Sequence, residues 1–147
     1  MSLRVHVHAV IWVDGKVAIY RRRRQERDHL ALPGGQVRDR ETVLDALRRE
    51  VHEEIGRSID VGELLFAAEV NATSRQDVVL IFDARLQSLN ELDQLDLVDP
   101  EGPKAETVLP PVLSRLTKPG SGTCEKGIWL GELYSAQAAA HLAGRPL

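Results

Sequence analysis

The chain has 147 residues, which is enough for one compact domain with a single core and too little for a multidomain protein. Apolar residues make up 43% and charged residues 28%, and this balance excludes a disordered chain. The 19 Lys and Arg against 22 Asp and Glu give a net charge of −3, so no basic surface for a nucleic-acid polymer is expected. We therefore predict a single domain over residues 1–147.

The chain carries one cysteine, Cys124. A single cysteine excludes an internal disulfide framework and a thiolate zinc cluster, and it suits a reducing compartment, so we expect a cytoplasmic location. The apolar stretch from Met1 to Val13 is interrupted by His6 and His8. It is also shorter than the roughly 20 residues of a membrane span, so no membrane partner is expected.

The first elements are two predicted strands. Apolar residues alternate with others from Val5 to Val13, and a second apolar run covers Lys16 to Tyr20. Asp14-Gly15 between them is typical of a type I′ turn, in which both central residues have positive φ. The segment from Leu30 to Gly35 contains a proline and two glycines, and it predicts a loop.

A helix is predicted from Thr42 to Ile55, because Leu44, Leu47, Val51 and Ile55 recur at spacings of three and four and Gly56 follows. The later predictions are strands at Glu63–Val70 and Asp77–Leu86, a short helix near Asn90–Leu97, a proline-interrupted segment at Thr107–Leu116, a short strand at Gly127–Leu130 and a terminal helix at Ser135–Ala143. Antiparallel strands with intervening and terminal helices indicate an α/β (α+β) layered domain.

Three carboxylates of the predicted helix share one face, since Glu50, Glu53 and Glu54 stand at i, i+3 and i+4. They border the apolar face, where like charges repel unless a cation lies among them. Oxygen ligands favour Mg²⁺ or Mn²⁺. The alternative is a solvated helix surface, which is what most acidic faces are.

The residues around these glutamates resemble the motif of the Nudix hydrolases, G-x5-E-x7-R-E-U-x-E-E-x-G-U, in which U is aliphatic. Its seven fixed positions are matched by Gly35, Glu41, Arg49, Glu50, Glu53, Glu54 and Gly56, and Val51 stands at the first U. The last U is replaced by Arg57, and Ile59 is the nearest aliphatic residue after it. The resemblance implies a Nudix-type α/β/α sandwich with a mixed sheet.

The resemblance also implies roles for residues of the motif. Glu50, Glu53 and Glu54 would bind the divalent cation, and the Gly35 carbonyl would be a further ligand. Glu41 and Arg49 would form an ion pair that orients the loop and the helix. The general base differs among relatives, so it is assigned to Glu53 or Glu54 without preference.

The implied reaction is metal-dependent hydrolysis of a pyrophosphate bond in a small nucleotide, a nucleoside diphosphate linked to another moiety. The family's marks for ADP-ribose and dinucleoside polyphosphate substrates are missing, since residues 71–74 read Asn-Ala-Thr-Ser, and its coenzyme A signature before the motif is missing too. Because these marks are missing, nucleoside triphosphates are the favoured substrate class. The alternatives are an ADP-ribose, nucleotide-sugar or dinucleoside polyphosphate hydrolase, and a Nudix-like module that binds a nucleotide without turnover. Homodimers are frequent among relatives, but no sequence feature here establishes one.

Weaker signals lie outside the motif. In the run from Arg21 to Arg24, alternate side chains of an extended chain point to opposite faces, so all four cannot serve one site. His6 and His8 share a strand face, and we interpret them as packing or surface residues rather than metal ligands. For Cys124 the sequence offers no activating partner. The strand aromatics Trp12, Tyr20, Phe66 and Phe82 are candidates for stacking on a nucleobase, although core packing is the more common role of such residues.

Overall fold

The computed structural model describes residues 2–72, 75–116 and 129–132. Nine strands and one α-helix lie in these residues: β1 (Ser2–Val13), β2 (Lys16–Arg24), β3 (Arg27–Ala31), β4 (Gly34–Gln36), α1 (Val43–Ile55), β5 (Ile59–Ala72), β6 (Arg75–Leu86), β7 (Asp96–Val98), β8 (Val108–Leu109) and β9 (Trp129–Glu132). Short 3₁₀ turns cover Leu92–Gln94, Ala105–Thr107 and Leu113–Arg115. The predicted mixed α and β class is confirmed.

The strands form one mixed sheet in the order β8-β3-β2-β1-β6-β5-β9, with β4 added to β1 and β7 to β2. Strand β1 is central: it runs parallel to β6 from Ser2 to Ile11 and antiparallel to β4 at His6–His8. Each face of the sheet carries a hydrophobic cluster. Val10 and Ile81 belong to the cluster on one face, and Val7 and Ile11 pack with helix α1 on the other. Burial on both faces explains the apolar run of β1.

The first hairpin has the predicted turn, since Asp14 and Gly15 have φ of 50° and 76°. The predicted loop from Leu30 to Gly35 is wrong at both ends, because Leu30 lies in β3 and Gly34 opens β4. Strand β3 pairs with β2 across Gln25-Glu26, a turn with φ of 48° and 63° that has no glycine to mark it in the sequence. The short helix predicted near Asn90–Leu97 is replaced by a 3₁₀ turn and strand β7.

Helix α1 agrees with its prediction. The Thr42 side chain accepts a hydrogen bond from the Asp45 N–H, and Gly56 ends the helix with φ of 67°. Its buried residues are Ala46, Leu47 and Val51. The strands predicted at Glu63–Val70 and Asp77–Leu86 are found within the longer β5 and β6. The predicted terminal helix at Ser135–Ala143 lies outside the described residues, as does Cys124.

Arg57, the residue that departs from the motif, has a specific structural role. Its guanidinium donates to the carbonyl of Asn90 and, at 2.6 Å, to the carbonyl of Glu91. The aliphatic residue of this segment is Ile59, which is buried in the same cluster as Leu47 and Val51. Packing after the helix is therefore supplied two residues later, while Arg57 holds the turn that precedes residues 92–94.

Among the described residues, no helix combines the length and the apolar character that crossing a bilayer requires.

Candidate active site

The candidate site forms where strand β4 lies between β1 and helix α1. Gly35 is opposite Val7 in β1 and Gly34 is opposite His8. A Cβ at Gly34 would lie 2.1 Å from the Val7 carbonyl oxygen, so only glycine fits this approach of two backbones. The glycine pair thus brings the β4 backbone against the sheet and exposes its other side to the helix.

Two glutamates of helix α1 reach this glycine pair. The Gly34 N–H donates to Glu54 Oε1 at 2.7 Å. A Cβ at Gly35 would lie only 2.6 Å from Glu50 Oε1, so the Glu50 carboxylate rests directly against the Gly35 backbone. The capped helix therefore holds Glu50 and Glu54, one turn apart, over the β4 backbone.

Arg49 joins the helix to the loop before it. Its Nε and Nη2 donate to the two carboxylate oxygens of Glu41 at 2.8 and 2.9 Å, and Nη2 also donates to the Gln36 carbonyl at 3.2 Å. The hydrogen bond from Arg49 lowers the pKa of Glu41 to about 2, and the pairing raises the pKa of Arg49 above its ordinary value. The geometry matches the ion pair that the motif implied.

The remaining guanidinium nitrogen of Arg49, Nη1, contacts both Glu50 and Glu53. Nη1 donates to Glu50 Oε1 at 2.9 Å and to Glu53 Oε2 at 3.5 Å. The Glu53 side chain is about half exposed (52%) and does not line the cavity that Glu50 and Glu54 share. Within the described ranges, no three His, Cys, Asp or Glu side chains are arranged to hold a metal ion together. The structure thus brings Glu50, Glu54 and Gly35 together, and places Glu53 beside Arg49.

A cavity of about 470 Å³ opens over this cluster, a size suited to a small-molecule ligand. Its lining residues are Glu50, Glu54, Gly34, Gly35, Gln36, Val37, Arg38, Asp39, His6, Tyr20 and Arg22. Acidic, basic and aromatic side chains therefore line the same cavity.

The arginine run divides between the two faces of strand β2, as the alternation predicted. Arg22 lines the cavity. Arg21 contacts Asp28 at 3.3 Å and Asp96 at 3.7 Å, and Arg23 contacts Asp28 at 4.0 Å. Of Arg21, Arg22 and Arg23, Arg22 is therefore the one that lines the cavity.

Among the strand aromatics, Phe66 is buried in the core, and Trp12 and Phe82 pack against it in part. Tyr20 differs, since it lines the cavity. His6 and His8 are buried, and His8 Nδ1 lies 3.1 Å from the Leu32 carbonyl oxygen. Sequence reasoning missed Gln36, Val37, Arg38 and Asp39, which occupy variable positions between Gly35 and Glu41; their place inside the motif was the available signal.

Comparison with known proteins identifies the class. The family model for the NUDIX domain matches residues 2–114. Among solved structures, the ORF135 protein of E. coli has a TM-score of 0.61 at 23% identity, over 78% of this chain and 86% of that chain. A NUDIX hydrolase from Nitrosomonas europaea has a TM-score of 0.55 at 26% identity, over 66% and 69%. A MutT NUDIX hydrolase from Burkholderia pseudomallei has a TM-score of 0.53 at 28% identity, over 68% of this chain and 77% of that chain. None of the curated proteins matched this chain.

The chain therefore belongs to the Nudix family. It is a hydrolase of small substrates in which a nucleoside diphosphate is linked to another moiety, and enzymes of this family generally use divalent metal ions.

Proposed function

We propose that this protein is a Mg²⁺-dependent nucleoside triphosphate pyrophosphohydrolase. The observation that carries the proposal is the convergence of Glu50 and Glu54 on the backbone of Gly34 and Gly35, in a cavity of nucleotide size. The same cavity offers Tyr20 as a surface for a base and Arg22 for a phosphate.

The donor set suits a hard cation. Glu50 and Glu54 supply carboxylate oxygens and Gly35 a carbonyl oxygen, all next to the same short strand. Mg²⁺ accepts a few such protein oxygens and keeps several waters. Bound there, Mg²⁺ would neutralise phosphate charge and lower the pKa of a bound water. Mn²⁺ has the same oxygen preference. Glu53 would join these ligands after leaving Arg49.

The chain's own residues have three tasks in this reaction. Glu53 or Glu54 accepts the proton of the attacking water, and Glu54 is the one that lines the cavity. Arg49, held in place by both oxygens of Glu41, fixes the helix relative to the β4 backbone. Arg22, which lines the same cavity, donates to phosphate oxygens and so orients the chain of phosphates.

The test is a hydrolysis screen with identification of the products. Nucleoside triphosphates, ADP-ribose, nucleotide sugars and dinucleoside polyphosphates are incubated with the protein and Mg²⁺. We expect nucleoside monophosphate and pyrophosphate from a triphosphate. Turnover of another class alone would contradict the substrate assignment, and binding without any turnover would indicate a nucleotide-binding module.

A further inference from the structure

Three charged side chains, Arg4, Arg75 and the buried Asp77, form a group that we call the Asp77 cluster. Arg4 in β1 lies opposite Asp77 in the parallel strand β6. Arg4 Nε donates to Asp77 Oδ1 at 3.2 Å, and Arg75 Nε donates to Oδ2 at 3.1 Å. The Asp77 side chain is only 1% exposed. One buried carboxylate thus holds two guanidinium groups.

The Asp77 cluster contains more hydrogen-bond donors than acceptors, and its two guanidinium groups outnumber its one carboxylate. The Nη2 atoms of Arg4 and Arg75 are buried and have no hydrogen-bond acceptor in the part of the chain that the structure describes. Buried donors without acceptors reduce stability.

Arg4 connects the Asp77 cluster to the cavity. Its Nη1 donates to Gln36 Oε1 at 3.5 Å, and Gln36 lines the cavity directly after Gly35. Gln36 lies opposite His6 in the pairing of β4 with β1, and His6 lines the cavity too. Arg75 does not line the cavity and, among the described residues, has no hydrogen bond to Gln36.

We propose that Arg4, anchored by Asp77, positions the Gln36 side chain so that its Nε2 amide donates to an acceptor oxygen of the substrate. A guanidinium has only donors, so its contact turns the amide oxygen of Gln36 inward and leaves the NH₂ half for a ligand. The acceptor is an oxygen of a phosphate or of a base carbonyl. The inference rests on the proposed function, because it needs a nucleotide in this cavity. Gln36 contacts the ligand, whereas Arg4 and Asp77 are positioning residues.

The experiment compares Arg4→Met with Arg75→Met. Both changes remove one cation from the Asp77 cluster and leave the other arginine paired with Asp77, but only the first removes a contact with Gln36. The dissociation constants of the α,β-methylene analogues of GTP and ATP are measured by calorimetry with Mg²⁺. We expect Arg4→Met to weaken binding about tenfold and Arg75→Met to change it less than twofold. Equal effects of the two changes, or no effect of either, would overturn the proposal.

Gln36→Glu separates positioning from a purely structural role. This change replaces the amide donor by a carboxylate that repels phosphate, but it gives Arg4 a charged acceptor. We expect binding of the GTP analogue, which carries both candidate acceptors, to weaken more than tenfold while the melting temperature stays equal or rises. Unchanged binding, or a fall in stability together with binding, would contradict the inference.

The two analogues identify the source of the acceptor oxygen. The guanine base has a carbonyl and the adenine base has none. An equal loss on both analogues in Arg4→Met assigns a phosphate oxygen, and a loss on the GTP analogue alone assigns the base carbonyl. A loss on the ATP analogue alone overturns the proposal. A wild type that binds the analogues but hydrolyses no nucleotide contradicts only the proposed function, whereas a wild type that binds neither contradicts both.

Discussion

At the scale of single residues, Glu53 and Glu54 are neighbours in sequence with different surroundings. Glu54 accepts a hydrogen bond from the Gly34 N–H inside the cavity, and Glu53 contacts Arg49 from a partly exposed position. A proton acceptor for the attacking water must lie within hydrogen-bond reach of that water. The two glutamates can therefore be separated by experiment, although the motif treats them alike.

We expect Glu54→Gln to lower kcat/KM by about 100-fold or more, because it removes an anionic oxygen donor from the cavity. Glu53→Gln has an effect of the same size only if Glu53 moves from Arg49 to the metal. Steady-state kinetics at several Mg²⁺ concentrations measure both losses, and melting temperatures near that of the wild type establish that the variants fold. A fully active Glu54→Gln variant would refute the site assignment.

The Glu41–Arg49 pair makes stability depend on pH. The pKa of Glu41 falls from 4.5 to about 2 in the folded protein, so its stabilisation is complete above pH 4.5 and disappears as the pH falls toward 2. Glu41→Gln should reduce the free energy of unfolding by about 1–2 kcal/mol at pH 7, and the deficit should shrink between pH 4.5 and 2. Urea unfolding at a series of pH values measures this.

Asp45→Asn provides a matched control for that prediction. Asp45 contacts Arg48 at 3.4 Å, but both side chains are exposed, so solvent screens the pair. We expect this change to alter the free energy of unfolding by less than about 0.5 kcal/mol. A pH dependence in Glu41→Gln identical to that of the wild type would show that the ion pair does not stabilise the fold.

At the scale of elements, strand β2 presents its arginines to two different environments. Arg22 lines the cavity, while Arg21 faces Asp28 and Asp96. We expect Arg22→Met to raise KM for a nucleoside triphosphate about tenfold, since a charge-assisted hydrogen bond to phosphate is lost. Arg21→Met, the matched control on the same strand, should leave KM within twofold. Similar KM changes in both variants would mean that the effect is one of net charge.

The two glycines of β4 should respond differently to a methyl group. In Gly34→Ala the new Cβ meets the Val7 backbone, which cannot move without breaking the sheet. In Gly35→Ala it meets the Glu50 carboxylate, and that side chain can rotate away. We expect Gly34→Ala to lower the melting temperature by about 10 °C or more, because a clash with the backbone strongly destabilises the fold. Gly35→Ala should fold near the wild-type temperature and lose most of its activity.

The local signals in the sequence were sufficient for some elements and not for others. Helix α1 and the first hairpin were predictable because a cap, a periodic apolar face and Asp14-Gly15 all act over a few residues. Strand β3 was not, since the turn at Gln25-Glu26 carries no glycine and its partner β8 lies far along the chain. Likewise, the fixed motif positions identified Glu50 and Glu54, but the cavity lining also includes residues of β1 and β2, whose approach to β4 is a tertiary effect.

At the scale of the whole molecule, the two hydrophobic clusters share strand β1. Its residue Val10 packs on one face of the sheet and Ile11 on the other. Because both clusters depend on one strand, we expect them to unfold together. Urea unfolding followed by far-ultraviolet circular dichroism and by tryptophan fluorescence should give coincident curves.

Truncations on the two faces test this coupling. Ile11→Ala and Ile81→Ala remove fully buried side chains from different clusters, and each should cost about 2–5 kcal/mol. In each variant the two spectroscopic signals should shift by the same amount. A signal that shifts in only one variant would show that the faces unfold independently.

The substitution at the end of the motif bears on how distant relatives are detected. Arg57 stands where the family pattern demands an aliphatic side chain, yet Ile59 fills the interior next to Leu47. A strict match to the family pattern would reject this sequence because of Arg57, although Ile59 provides the aliphatic packing in the folded chain. In this chain the buried aliphatic side chain after Gly56 is the first residue of β5 and not the residue that directly follows the helix.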